Sequence, residues 1–223
     1  MDERSIEDRL REEYFDLLPK MERVAQSFST EIEYLLRLIR KELAPHESII
    51  VKTRIKDCRS AIDKLRRQFN PADPAVQRNP GDVFDRDQPE KYSLLLLRDL
   101  VGVRVLVFPP KRAEQVDRWL RNKFQSWKPD PKSDDGALLA YKYNGKRSHN
   151  RIFIPCEYQI VSTLIGLFWD VEHSAIYKQA PELRGFDLLM RDQTLDVYKA
   201  LKAFEAEFER RIEQSELNKS SSS

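Results

Sequence analysis

The chain has 223 residues, of which 40% are hydrophobic, 34% are charged and only 6 are glycine. That balance fits one globular unit with a substantial core and excludes a repeat array or a disordered chain. Lys and Arg number 39 against 37 Asp and Glu, a formal charge of +2, so any affinity for phosphates must come from a local cluster and not from bulk charge.

The stretch Met1 to Arg11 alternates charges without an apolar run, and no segment approaches the roughly 18 apolar residues of a membrane span. The expectation is a soluble, cytoplasmic protein with no membrane partner. From Met21 to Leu43 apolar residues recur at helical spacing (Met21, Val24, Phe28, Ile32, Leu35, Ile39) with charges between them, which predicts a long amphipathic helix stopped by Pro45. Ser48 to Arg54 then reads as a strand, Asp57 to Phe69 as a helix and the Pro-rich Asn70 to Pro89 as a loop. Val101 to Phe108 is a buried strand bounded by Pro109 and Pro110, and Arg112 to Phe124 a helix. Ala140 to Tyr143 and Arg151 to Ile160 are strands joined by a turn at Asn144 and Gly145. Thr163 to Lys178 returns to helix, and a last helix follows Asp192, a candidate N-cap, with the stripe Leu195, Tyr198, Leu201, Phe204, Phe208 and Ile212. This order predicts an α+β fold, a mixed sheet with helices on it. Its parts are an N-terminal helical extension (1–47), the chemical domain (48–180), a C-terminal helix (181–214) and a disordered tail (215–223).

Four constellations could carry chemistry. In T-R-I-K-D-C-R-S-A-I-D-K-L-R-R, Arg54 and Lys56 share one side of a strand end, and Ser60, Lys64 and Arg67 follow on one helix face, opposite Ile62, Leu65 and Phe69. Four cations beside a helix start can hold a triphosphate, although a solvated charged face gives the same pattern. Asp99 precedes the apolar strand V-G-V-R-V-L-V, and Arg104 inside it needs a carboxylate or phosphate partner. In C-E-Y-Q-I, Glu157 and Gln159 share one strand face. Asp99 and Glu157 could together hold Mg²⁺, which takes one or two carboxylates alongside substrate phosphates. Finally, W-D-V-E-H-S-A-I-Y-K spaces Trp169, His173 and Tyr177 four apart beside Lys178, a pattern that an aromatic core face also explains.

Rival chemistries lack their parts. Three histidines without H-E-x-x-H, and two cysteines (Cys58, Cys156) without C-x-x-C, offer no zinc framework, and two lone thiols fit a reducing compartment. The P-loop, Rossmann and nucleophile-elbow glycine patterns are absent.

Taken in order from about Ile49 to Lys178, these segments resemble the synthetase domain of the RelA/SpoT family, which makes guanosine tetra- and pentaphosphate. The resemblance implies a nucleotidyltransferase-like synthetase fold with flanking long helices, in a small, synthetase-only member. It assigns ATP binding to Arg54, Lys56, Ser60, Lys64, Arg67 and Arg104. Asp99, Glu157 and Gln159 become catalytic, with Asp99 and Glu157 on Mg²⁺. The acceptor side falls to Lys146, Ser148, Asn150, His173, Tyr177 and Lys178. The implied reaction is attack of a 3′-hydroxyl on the β-phosphorus of ATP with release of AMP.

Two departures stand out. The family's acceptor loop reads N-G-Y-x-S-x-H, whereas N-G-K-R-S-H-N places Lys146 at the base-stacking Tyr and Asn150 at the His; Val161 stands where the family has an Arg. Three functions compete on these residues. The first uses a guanine-nucleotide acceptor. The second is toxin-like, with an RNA acceptor on Lys146, Arg147 and Arg151 and an antitoxin partner. The third is a binding domain without turnover. The two long helices leave room for a homo-oligomer.

Overall fold

The structure is a computed structural model that describes residues 3–69, 84, 88–134, 137–172 and 186–220. Helix α1 (Glu3–Lys41) is followed by strand β1 (Ser48–Ile55), helix α2 (Cys58–Phe69), two short 3-10 turns (Pro89–Lys91, Leu94–Leu96) and strand β2 (Val101–Phe108). Then come helix α3 (Arg112–Lys123), strands β3 (Lys128–Pro129), β4 (Lys132–Asp134), β5 (Ala137–His149) and β6 (Ile152–Ser162), and helices α4 (Thr163–Glu172) and α5 (Phe186–Ser220). The six strands form one mixed sheet in the order β1-β2-β6-β5-β3, with β4 also on β5. Among the described residues β2 and β6 run parallel and the other pairs are antiparallel. The α+β architecture is the expected one. Among the described residues no helix is long and apolar enough to cross a membrane.

Strand periodicity sorts the side chains into two faces. Val101, Val103, Val105 and Val107 of β2 and Ile154, Cys156, Tyr158 and Ile160 of β6 point into the main core. The alternate residues Gly102, Arg104, Glu157 and Gln159 lie on the other face, where Leu106 and Val161 join Ile165, Trp169 and Tyr198 in a smaller cluster under α4 and α5. One face is therefore apolar and covered, and the other carries the polar residues.

Helix α1 covers the apolar face together with α3, whose Val116 and Leu120 join the same core. It starts well before the predicted Met21, because Ile6, Leu10, Tyr14 and Leu17 continue the same stripe into the core. It runs through Pro19, whose missing N–H removes one rung of the ladder; burial of the stripe on both sides of that residue holds the helix together. Its packing makes the predicted N-terminal extension a layer of the domain. Arg9 donates to the carbonyls of Pro89 and Tyr92 (2.7 Å each), Glu13 accepts from the Ser93 hydroxyl (2.5 Å), and Tyr14 donates to the carbonyl of Lys56 (3.1 Å). The segments leading to Asp99 and Lys56 are thus tied to one rigid rod.

Three expected boundaries shift. The β5–β6 turn falls at Asn150 and Arg151, with φ of 49° and 64°, a left-handed pair of the kind two-residue hairpins use. Asn144 and Gly145 lie instead within β5, opposite Glu157 and Cys156. Gly145 serves close packing: a Cβ there would lie 2.3 Å from the Trp127 ring. Gly145→Ala should destabilise the fold by about 1–3 kcal/mol through overpacking, read as a lower denaturant midpoint; an unchanged midpoint would show that Trp127 yields freely. At the C-terminus, α5 begins six residues before the predicted cap Asp192 and continues to Ser220, through most of the predicted tail. Its stripe is only partly covered, since Tyr198 is buried while Phe204 is 57% exposed.

Candidate active site

The polar face of the sheet gathers two buried carboxylates and the cations around them. Asp99 sits just before β2, only 5% exposed, and Glu157 is 1% exposed in mid-sheet. Asp99 Oδ2 meets Lys64 Nζ at 2.8 Å, Lys56 Nζ at 3.1 Å and Arg54 Nη2 at 3.8 Å. The last contact is an outer one, because Arg54 Nη2 donates to Glu157 Oε1 at 2.8 Å. The β1–β2 register sets Arg54 opposite Gly102. A Cβ at Gly102 would approach Arg54 Cγ and Nε to 3.1 Å and Glu157 Oε1 to 3.5 Å, so the glycine clears the guanidinium's route across β2.

A second chain of contacts continues from Glu157. Gln159 Nε2 donates to the same Oε1 at 3.0 Å and its Oε1 accepts from Arg104 Nε at 3.2 Å. Arg104 Nη1 donates to the Gly166 carbonyl (3.2 Å) and to Asp170 (2.6 Å), which also pairs with Lys52 at 3.1 Å. The close approach of α4 depends on Gly166, where a Cβ would lie 2.3 Å from Leu106. On the β5 side, Lys142 Nζ lies 3.5 Å from Glu157 Oε2 and 3.1 Å from Asp130. A cleft of about 200 Å³ opens here, lined by Asp130, Lys132, Lys142, Gln159 and Trp169 among others.

Lys52, Arg54, Lys56, Lys64, Arg104 and Lys142 thus face Asp99, Glu157, Asp130 and Asp170, six cations against four carboxylates. The surplus shows in the proton affinities. Burial pushes the Asp99 carboxyl up, but Lys56 and Lys64 outweigh it and hold the group below the usual carboxylate range. Burial also lowers Lys56, and the neighbouring Arg54 and Lys64 add to this, so the pull of Asp99 is outweighed. Asp99 and Lys56 shift in the same direction for different reasons: the cations lower Asp99, and burial first, then the neighbouring cations, lowers Lys56. Lys142 differs: burial opposes its charge, yet Glu157 and Asp130 raise it above the ordinary lysine value. The face is short of negative charge where Arg54, Lys56 and Lys64 converge.

The structure brings Arg54, Lys56, Lys64, Asp99, Arg104, Glu157 and Gln159 together. Ser60 lies one turn away, bonded through its N–H and hydroxyl to Asp57 (2.9 and 2.8 Å), where it helps start α2. Arg67 donates to the Asp63 carbonyl at 3.3 Å. Arg104 has the acid partner its burial demands, Asp170, so its position is fixed before any ligand arrives. Lys146 and Ser148 share the polar face with Glu157 but pair with Pro155 and Phe153, up-strand of the carboxylates. Asn150 forms the tip of the β5–β6 hairpin. Arg147 turns to the other face, pairs with Glu31 at 2.7 Å and lies over the Phe28 ring, which withdraws it from any RNA-binding triad. His173, Tyr177 and Lys178 lie outside the described residues. Trp169 is 7% exposed, in the smaller core, with Lys132 Nζ 4.1 Å from its ring. Sequence reasoning passed over Lys142, Asp130, Asp170 and Lys52. Lys142 falls within the predicted strand Ala140 to Tyr143, but its place opposite Gln159 follows only from the observed register.

No protein-family model and no curated protein matches the chain. Solved structures do. Small alarmone synthetase 1 from Bacillus subtilis bound to AMPCPP superposes with a TM-score of 0.58 at 14% identity, over 91% of this chain and 98% of that one. The same enzyme bound to its product pppGpp gives 0.54 at 11% identity, over 89% and 99%. A GTP pyrophosphokinase family protein from Streptococcus pneumoniae gives 0.54 at 16% identity, over 88% and 94%. The chain therefore has the fold of the small alarmone synthetases, along almost the whole of their length.

Proposed function

We propose that the chain is a cytoplasmic pyrophosphotransferase of the RelA/SpoT type, which moves the β,γ-diphosphate of ATP to the 3′-hydroxyl of a guanine nucleotide. The observation that carries this reading is the pair of buried carboxylates, Asp99 and Glu157, set on one sheet face among more cations than they can neutralise. Such a face suits a polyanion whose charge shifts during transfer, and phosphoryl chemistry asks little of a protein beyond positioning and electrostatics.

Arg54, Lys56 and Lys64 converge where a triphosphate would place its oxygens, with Ser60 and Arg67 further along α2. Gln159 holds Glu157 in place, and Arg104, locked on Asp170, holds Gln159. Lys142 is kept protonated by Glu157 and Asp130 and supplies charge on the β5 side, where the acceptor enters, with Lys146 and Ser148 beyond it. Asp99 Oδ1 and Glu157 Oε2 are buried without a hydrogen-bond partner, and hard carboxylate oxygens fit Mg²⁺. Among the described residues no group of three or more acids, histidines or cysteines could hold a metal, so phosphate oxygens would complete the shell. When bound, Mg²⁺ would neutralise charge on the transferred diphosphate.

The likeness to enzymes bound to AMPCPP and pppGpp supports ATP as donor and a guanine nucleotide as acceptor. The docking of Arg147 on α1 disfavours RNA. Incubation with γ-labelled ATP and, in turn, GDP, GTP and total tRNA tests the reading. Label should enter a guanine nucleotide, with GTP ahead of GDP because Lys146 supplies charge where an aromatic ring would select the base. Label in tRNA alone would overturn the acceptor assignment.

A further inference from the structure

The cations assigned above to the triphosphate are the same groups that pair with the carboxylates. Asp99 Oδ2 is taken by Lys64 (2.8 Å) and Lys56 (3.1 Å), and Glu157 Oε1 by Arg54 (2.8 Å) and Gln159 (3.0 Å). Arg54 reaches toward both acids. Asp99 Oδ1 and Glu157 Oε2 are buried without a hydrogen bond, although Lys142 Nζ lies 3.5 Å from the latter. A divalent cation arriving alone would be opposed by Arg54, Lys56 and Lys64 around the two acids and by Lys142 beside Glu157 Oε2.

We propose that Arg54 and Lys64 act as a lock that keeps the carboxylate pair closed to divalent metal until a triphosphate draws them off, so that nucleotide assembles the metal site. This rests on the function proposed above. Phosphate oxygens are strong acceptors for ammonium and guanidinium groups. When they take Arg54 and Lys64, Asp99 Oδ2 keeps only Lys56 and Glu157 Oε1 only the neutral Gln159 amide, and the repulsion on the metal falls. Mobility is distributed suitably: the side chains of Arg54 and Lys64 are 39% and 36% exposed and can swing, whereas Lys56, at 13%, is held. Linkage requires the effect to be reciprocal, so metal must tighten nucleotide by the same factor as nucleotide tightens metal.

The probe is Mn²⁺, whose free signal is followed by electron paramagnetic resonance in titrations of the full chain. Without nucleotide the wild type should bind Mn²⁺ weakly. Lys64→Met and Arg54→Met, each checked for an unchanged circular dichroism spectrum, should bind it about tenfold or more tightly, a gain set by the removal of a cation within contact of a carboxylate. Adding Glu157→Gln to either variant should reverse the gain. The wild type should tighten to a similar degree with AMPCPP, after subtraction of what the nucleotide binds alone. Tight, nucleotide-independent binding by the wild type, or no gain in both Met variants, would overturn the lock and leave the functional reading standing. Bound AMPCPP with no protein-dependent Mn²⁺ in any form would remove Asp99 and Glu157 as metal ligands, and the lock with them.

Discussion

Glu157→Gln should lower AMP release about a thousandfold while leaving ATP binding largely in place, and Asp99→Asn should do the same. The magnitude is that of losing a group which acts on the charge developing in the transition state. The substitutions keep shape and remove charge, and the adenine half of ATP touches neither residue in this account, so the loss should fall on kcat more than on KM. Glu157 is the cleaner test, because its amide replacement can still accept from Arg54 through the retained carbonyl oxygen. Asp99→Asn also leaves Lys56 and Lys64 with less compensation, so its thermal midpoint needs recording beside its rate. Near-normal turnover in both variants would overturn the assignment of the carboxylates.

Lys56→Ala and Arg54→Ala should each raise the KM for ATP by about tenfold to a hundredfold, the scale of a charge-assisted contact to phosphate. Lys199→Ala on α5 should change nothing measurable: its side chain is 70% exposed and its pair with Asp196, at 3.9 Å, is an outer-surface contact. Lys56 differs in every respect that matters, being 13% exposed, lowered in proton affinity by burial and neighbouring charge, and anchored through its backbone N–H to the Leu100 carbonyl at 2.9 Å. Equal effects at Lys56, Arg54 and Lys199 in a titration of rate against ATP would mean that the basic strand and helix are a solvated surface.

Much of this site is legible in the sequence because strand alternation is strict. Arg54 and Lys56, Gly102 and Arg104, and Glu157 and Gln159 are each two apart, and the three pairs meet on one face once β1, β2 and β6 lie side by side. The requirement that a buried Arg104 find an acid was also readable; that the acid is Asp170, on the helix after β6, was not, because the partner depends on how closely α4 packs at Gly166. The hairpin was misplaced for a related reason. Asn-Gly is a strong turn signal in isolation, yet at Gly145 the missing side chain makes room for Trp127, and Asn150 supplies the left-handed turn. The start of α1 was hidden by dense charge around Ile6, Leu10 and Tyr14, whose spacing emerges once they are seen against the sheet. The role of Arg147 depended on α1 in the same way: its neighbours in sequence suggest a phosphate-binding run, and Glu31 with Phe28 takes it to the opposite face.

A diphosphate that moves as one unit leaves its signature in the coproducts of ATP. ATP labelled separately at the α, β and γ phosphorus is incubated with the protein, Mg²⁺ and GTP, and the products are separated. The α label should appear in free AMP, with β and γ label together on the guanine nucleotide in amounts equal to the AMP formed. Formation of ADP with only γ label on the acceptor, or of α label on the acceptor with free pyrophosphate, would contradict it and assign the site to a kinase or a nucleotidyl transferase.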